Sequence, residues 1–243
     1  MLMIRTVESL NVVEALYETF RGYPLRPDTN ACPCCHKPEQ ERFLHVQPLR
    51  KLTVDHLRLY VEDAILVWGN VDDYRHFLPR IFELMMTLED PRFELDMAPI
   101  VFNKLRLANW ANWPLEEQNA IRRYFLIAWK ALLRTSPDDL GLTDAADWLS
   151  GIAQAEDDLQ PYLDAWKGEE SNEAARHLAA LIVEYPFVQN DARPPDFWRE
   201  RKEQWNQVRE WLLGDTVKRK LRAAEEVCRD ANLELAVQVL RIR

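Results

Sequence analysis

The sequence holds little that would name an activity. Only six of its 243 residues are glycine, and no useful stretch alternates apolar and polar residues at the two-residue period of a strand. Scarce glycine beside nine tryptophans favours long helices packed around large anchors. No apolar run approaches the roughly 18 residues of a membrane span. The opening residues lack the basic segment and apolar core of a secretory signal, so a cytoplasmic protein is expected. No self-similarity recurs at a fixed period, which argues against a true repeat array. No catalytic or cofactor signature is present, and the expectation is a non-enzymatic protein without metal or cofactor. With 47% apolar residues, a disordered chain is excluded, and this length buries a substantial core.

The pattern that remains is all-α. It predicts about nine or ten helices in a helical bundle or irregular α-solenoid. Glu8 to Phe20 is amphipathic. Thr53 caps a helix whose apolar face runs Leu57, Tyr60, Val61, Ala64, Ile65 and Trp68, with Gly69 at its C-terminal stop. Pro79 fits the first position of a helix over Arg80 to Leu88, with Tyr74 to Leu78 as a short turn before it. Glu89 to Pro99 reads as a loop and Ile100 to Trp110 as a short helix. Pro114 starts the clearest helix, with Ile121, Tyr124, Phe125, Ala128, Trp129 and Leu132 on one face. Further helices cover Glu173 to Tyr185, with His177 exposed or capping, then Phe197 to Leu213, a stretch after Gly214, and Leu233 to Leu240. The domain expectation is a helical body over 1–185, a linker at 186–195 ending in Pro194-Pro195, and a C-terminal helical subdomain over 196–243 packed on the first.

Two clusters could carry chemistry. Asp72, Asp73, Arg75, His76 and Arg80 gather at the corner between the second and third helices. Asp72 and His76 are spaced for a carboxylate–imidazole pair, and Arg80 could bind an anion. The structural alternative has His76 donating to a carbonyl and Arg80 paired with Asp72 or Asp73; without a nucleophile, this alternative is preferred. The second cluster is Cys32, Cys34, Cys35 and His36. Cys32 and Cys35 make a CxxC, half of a tetrahedral zinc site, and there is no second CxxC. His36, His45, His56 and Cys228 are the candidates for remaining ligands. Redox chemistry would want this motif at a helix N-terminus beside a βαβ pattern, which is not visible. Reduced, inert thiols around Pro33 are the third reading and the expected one.

Trp68, Gly69, Asp73, His76, Phe77, Leu78, Pro79 and Arg80 follow the Cys-Pro cluster and LRKLT in an order that resembles an uncharacterised bacterial protein family. The similarity covers roughly the first ninety residues. It implies a bacterial origin and a coherent N-terminal module, and brings no activity, cofactor or partner with it.

Asp138 to Glu173 differs from the rest of the chain, with eleven acidic residues against one base, Lys167. Leu140, Ala146, Leu149, Ile152, Leu159, Leu163 and Trp166 should face inward from short helices, leaving a negative surface. Such a surface disfavours nucleic acid, whose phosphates need Lys and Arg. It would steer a basic protein partner, or serve simply as a solvated face. The functional expectation is an immunity-type inhibitor of a basic bacterial toxin. Asp157, Asp158, Glu169 and Glu170 would form its electrostatic rim and Trp166 its aromatic anchor. No membrane partner is expected.

Overall fold

The computed structural model describes residues 6–87, 97–140, 144–185 and 196–241. These are all-α: twelve α-helices and no strand among the described residues. No helix there is long and apolar enough to cross a membrane. The chain divides into two compact units, residues 1–128 and 129–243. The linker expected at 186–195 lies outside the described residues, as does most of the loop expected before Pro99.

The first unit holds α1 (Val7–Phe20), α2 (Pro38–Arg42), α3 (Val54–Asp63), α4 (Val71–Thr87), α5 (Met97–Leu107) and the start of α6 (Leu115–Arg134). Thr6 caps α1 by accepting the Ser9 N–H at 3.1 Å. The apolar stripe of α1 then lies along α4. Phe82 of α4 stacks on Tyr124 of α6 at 4.2 Å, and Phe102 of α5 meets Phe82 edge-on at 5.8 Å. The Tyr124 hydroxyl donates to the Phe82 carbonyl, so the buried phenol is satisfied.

Two helix boundaries depart from the periodicity. The helix capped by Thr53 stops at Asp63 instead of reaching Trp68, although Trp68 is buried all the same. Conversely, α4 runs unbroken through Pro79. Proline removes one helical donor, leaving the Arg75 carbonyl without its usual partner, at a cost of roughly 3 kcal/mol. Tyr74, Phe77, Leu78, Ile81, Phe82 and Met85 are all buried along the same helix. At roughly 1.5–3 kcal/mol for each large side chain, that burial outweighs the loss.

The second unit holds the end of α6 with α7 (Ala145–Ala155), α8 (Gln160–Gly168), α9 (Asn172–Glu184), α10 (Lys202–Leu212), α11 (Asp215–Val227) and α12 (Ala231–Arg241). α9 packs on α12, and α11 on both. Among the described residues the twelve helices slightly exceed the nine or ten expected, in part because the cysteine stretch contains the five-residue α2. All seven residues expected to face inward from that segment are buried. His177, expected exposed or capping, is also buried, with Nε2 2.9 Å from the Thr135 carbonyl. Burial pushes its imidazole below the ordinary value.

Candidate functional site: a three-thiol cluster on a supported loop

The cysteine loop is held in place from beneath. Thr29 is fully buried, and its N–H and hydroxyl both donate to one oxygen of Glu41 at 2.6 Å. Its hydroxyl oxygen accepts the Trp68 indole N–H at 2.8 Å. Asn30 then turns through a left-handed backbone (φ 56°), with its N–H bonded to Asp28. The Cys32 N–H donates to the Val67 carbonyl at 2.8 Å, joining the loop to the segment after α3.

That segment is itself unusual. The Asp63 carbonyl faces the N–H groups of Leu66, Val67 and Trp68 at 3.1 to 3.2 Å, and Ile65 is left-handed at φ 70°. A β-branched residue in this region is strained. The tight reversal leaves the Val67 carbonyl available to Cys32. Gly69 follows at φ 74°, where a Cβ would lie 2.9 Å from an oxygen of Asp73. Asn70 and Asp73 close α4 with reciprocal caps: the Asn70 side chain accepts the Asp72 and Asp73 N–H groups, and Asp73 accepts that of Asn70. Arg26 grips the buried Asp73 through two nitrogens. No sequence spacing links Arg26 to Asp73, 47 positions away.

On this base, Cys32 to Cys35 form a β-turn with Pro33 at its second position and the Cys35 N–H donating to the Cys32 carbonyl at 3.0 Å. The turn gathers three sulfurs on one side. Cys32 and Cys34 Sγ are 2.8 Å apart, Cys34 and Cys35 3.7 Å, and all three lie within 4.8 Å of one another. Cys34 and Cys35 are exposed and Cys32 is half-buried. The Cys34 thiol and the backbone N–H groups beside it hold the Cys32 thiol below its ordinary range, whereas the neighbouring sulfurs push Cys35 up to about 11.

Among the described residues, the metal-ligating atoms that converge here are those three thiols. The buried His36 ring lies 4.4 Å from Trp68, with Nε2 3.0 Å from Asp63. His56 is occupied at the start of α3, where its Nδ1 accepts the Thr53 N–H. His45 is exposed and Cys228 belongs to the second unit. The sequence pairing of Cys32 with Cys35 thus leaves out Cys34, the sulfur nearest to Cys32. The signal available was the proline, whose preset φ favours a tight turn at that position.

The corner residues do not converge on a site. Asp72 is exposed and reaches Arg75, while His76 Nδ1 lies 2.7 Å from the Tyr23 carbonyl. Arg80 donates to the Leu52 carbonyl and to Glu83, in place of the expected Asp72 or Asp73. His76 and Pro79 do border a groove of about 460 Å³ with Tyr17, Tyr23 and Arg50.

In the acidic segment Trp166 is fully buried, in keeping with its inward position, so its ring offers no surface on which to anchor a partner. Its ring lies 5.1 Å from Trp129 and 5.4 Å from Trp211, and its N–H donates to the Ala174 carbonyl. An inward position on α8 consumes its whole surface. Glu169 pairs with Arg134 at 2.6 Å and Asp157 with Arg201 at 2.7 Å. Asp158 accepts from the Gln160 backbone and from Gln207, and Glu170 is exposed. Compared with known proteins, the chain matches no family model, no curated protein and no solved structure.

Proposed function

We propose that this chain is a thiolate metal-binding protein that holds one soft cation between Cys32, Cys34 and Cys35. The observation that carries this reading is the convergence of the three sulfurs within 4.8 Å on an exposed turn. With metal–sulfur bonds of about 2.3 Å, sulfurs sharing one metal lie about 3.8–4.0 Å apart. The 3.7 Å between Cys34 and Cys35 already matches that spacing. Cys32 and Cys34, at 2.8 Å, would open by about 1 Å, which the exposed Cys34 side chain can accommodate by rotation. Binding would release protons from the thiols, so affinity should rise with pH.

The test is elemental analysis of protein purified without oxygen or chelators. The expected result is close to one equivalent of metal, lost in Cys34→Ser with unchanged helical circular dichroism. Fully reduced thiols that retain no metal after reconstitution with zinc or Cu(I) would contradict the proposal.

A second proposal, an inhibitor of a basic toxin, is favoured by the exposed carboxylates of Asp157, Asp158 and Glu170. It proceeds without Trp166. Salt-sensitive capture of one basic partner, abolished by reversing these three charges to Lys, would support it. An empty capture at low and moderate salt would end it.

A further inference from the structure

Which cation the site takes follows from its donor set, given the thiolate reading above. We infer that Cys32, Cys34 and Cys35 form a three-coordinate, sulfur-only site for a monovalent soft cation, Cu(I), rather than a four-coordinate zinc site. Protein zinc sites almost always complete a tetrahedron, with a fourth side chain in structural sites and water in open ones. Here the three donors come from four consecutive residues and approach a cation from one side. The nearest candidate for a fourth position in sequence, His36, is not among the side chains whose donor atoms converge here. Its buried ring packs on Trp68 and its Nε2 faces Asp63 at 3.0 Å. Bringing it to the cation would remove it from both contacts. His56 is also outside the converging group, and its Nδ1 is taken up by the Thr53 cap.

Soft thiolate ligands suit Cu(I), as they do zinc and iron–sulfur clusters, and three sulfurs satisfy Cu(I) without a fourth donor. The exposed positions of Cys34 and Cys35 leave one side of the site open, so zinc here would have to take water as its fourth ligand, whereas Cu(I) needs none. A cation held this way could pass to another thiolate by stepwise ligand exchange, with the helices undisturbed.

The test is an anaerobic Cu(I) titration in competition with bathocuproine disulfonate, followed by X-ray absorption on the loaded full-length chain. The expected result is one Cu(I) per chain with three sulfur neighbours and no nitrogen or oxygen neighbour, unchanged in His36→Gln. Cys34→Ser should show two sulfurs and surrender Cu(I) at a chelator concentration that the wild type withstands. Should His36→Gln fail to fold, the absence of a nitrogen neighbour in the wild-type spectrum decides the same point.

Zinc retained with a fourth nitrogen or oxygen neighbour, and Cu(I) given up to the chelator, would overturn the three-coordinate inference while leaving the thiolate reading intact. Retention of neither metal by reduced thiols, or formation of a Cys32–Cys34 disulfide in place of metal binding, would overturn both.

Discussion

The cysteine turn of the first unit and the acidic helices of the second treat their distinctive residues in opposite ways. In the turn, the supporting side chains Thr29, His36 and Trp68 are buried, while Cys34 and Cys35 remain exposed at the surface. In the acidic segment, Trp166 has become core, Glu169 is tied to Arg134, and Asp157 reaches Arg201. The difference is one of backbone. A helix must bury a stripe, and any large apolar side chain on that stripe is consumed by packing. A short turn supported from below has no such obligation, so its side chains stay free for chemistry.

The largest effect that would sharpen this contrast is Trp166→Ala. Loss of a fully buried indole should destabilise the protein by roughly 3–5 kcal/mol, read from urea unfolding, with metal stoichiometry unchanged. A cost near that of a surface substitution would break the comparison by returning Trp166 to the surface. A smaller effect is expected at the support of the cysteine turn. Gly69→Ala forces a left-handed alanine whose Cβ meets Asp73, and should cost about 1–2 kcal/mol by the same measurement. A neutral result would show that the reversal before α4 is not as constrained as described.

The smallest effect concerns acid. Because burial lowers the His177 pKa in the folded state, the unfolded chain binds the extra proton first as pH falls below about 6.5. The stability contributed by the neutral imidazole is complete above that pH and declines below it, towards the lowered folded value. His177→Gln should flatten the stability profile on the acid side of 6.5. An unchanged acid profile would place the sensitivity elsewhere.

The helical class was legible because core stripes such as Ile121, Tyr124, Phe125, Ala128, Trp129 and Leu132 recur at helical spacing, and all six are buried. Pro79 misled because its local cost was weighed without the buried face around it, which the packing of α4 against α1, α5 and α6 reveals. Trp68 misled in the opposite direction: it continues the periodicity of α3, yet reaches the core from a reversed loop whose left-handed Ile65 no propensity would suggest. At the cysteine turn the residue types were visible, but the gathering of Cys34 with its neighbours was not. It depends on the Cys32 N–H meeting the Val67 carbonyl and on Thr29 meeting Trp68 and Glu41. These are long-range bonds that leave no periodic trace.

The most direct measurement of the central claim is the alkylation rate of each cysteine, mapped by mass spectrometry on anaerobically purified protein, with and without a strong chelator. Cys228, in the second unit, is the internal reference. If a cation holds the three thiols, Cys32, Cys34 and Cys35 will react slowly and together, and the chelator will release all three while leaving Cys228 unaffected. Rapid reaction of exposed Cys34 and Cys35 at the same rate in both conditions would contradict the account.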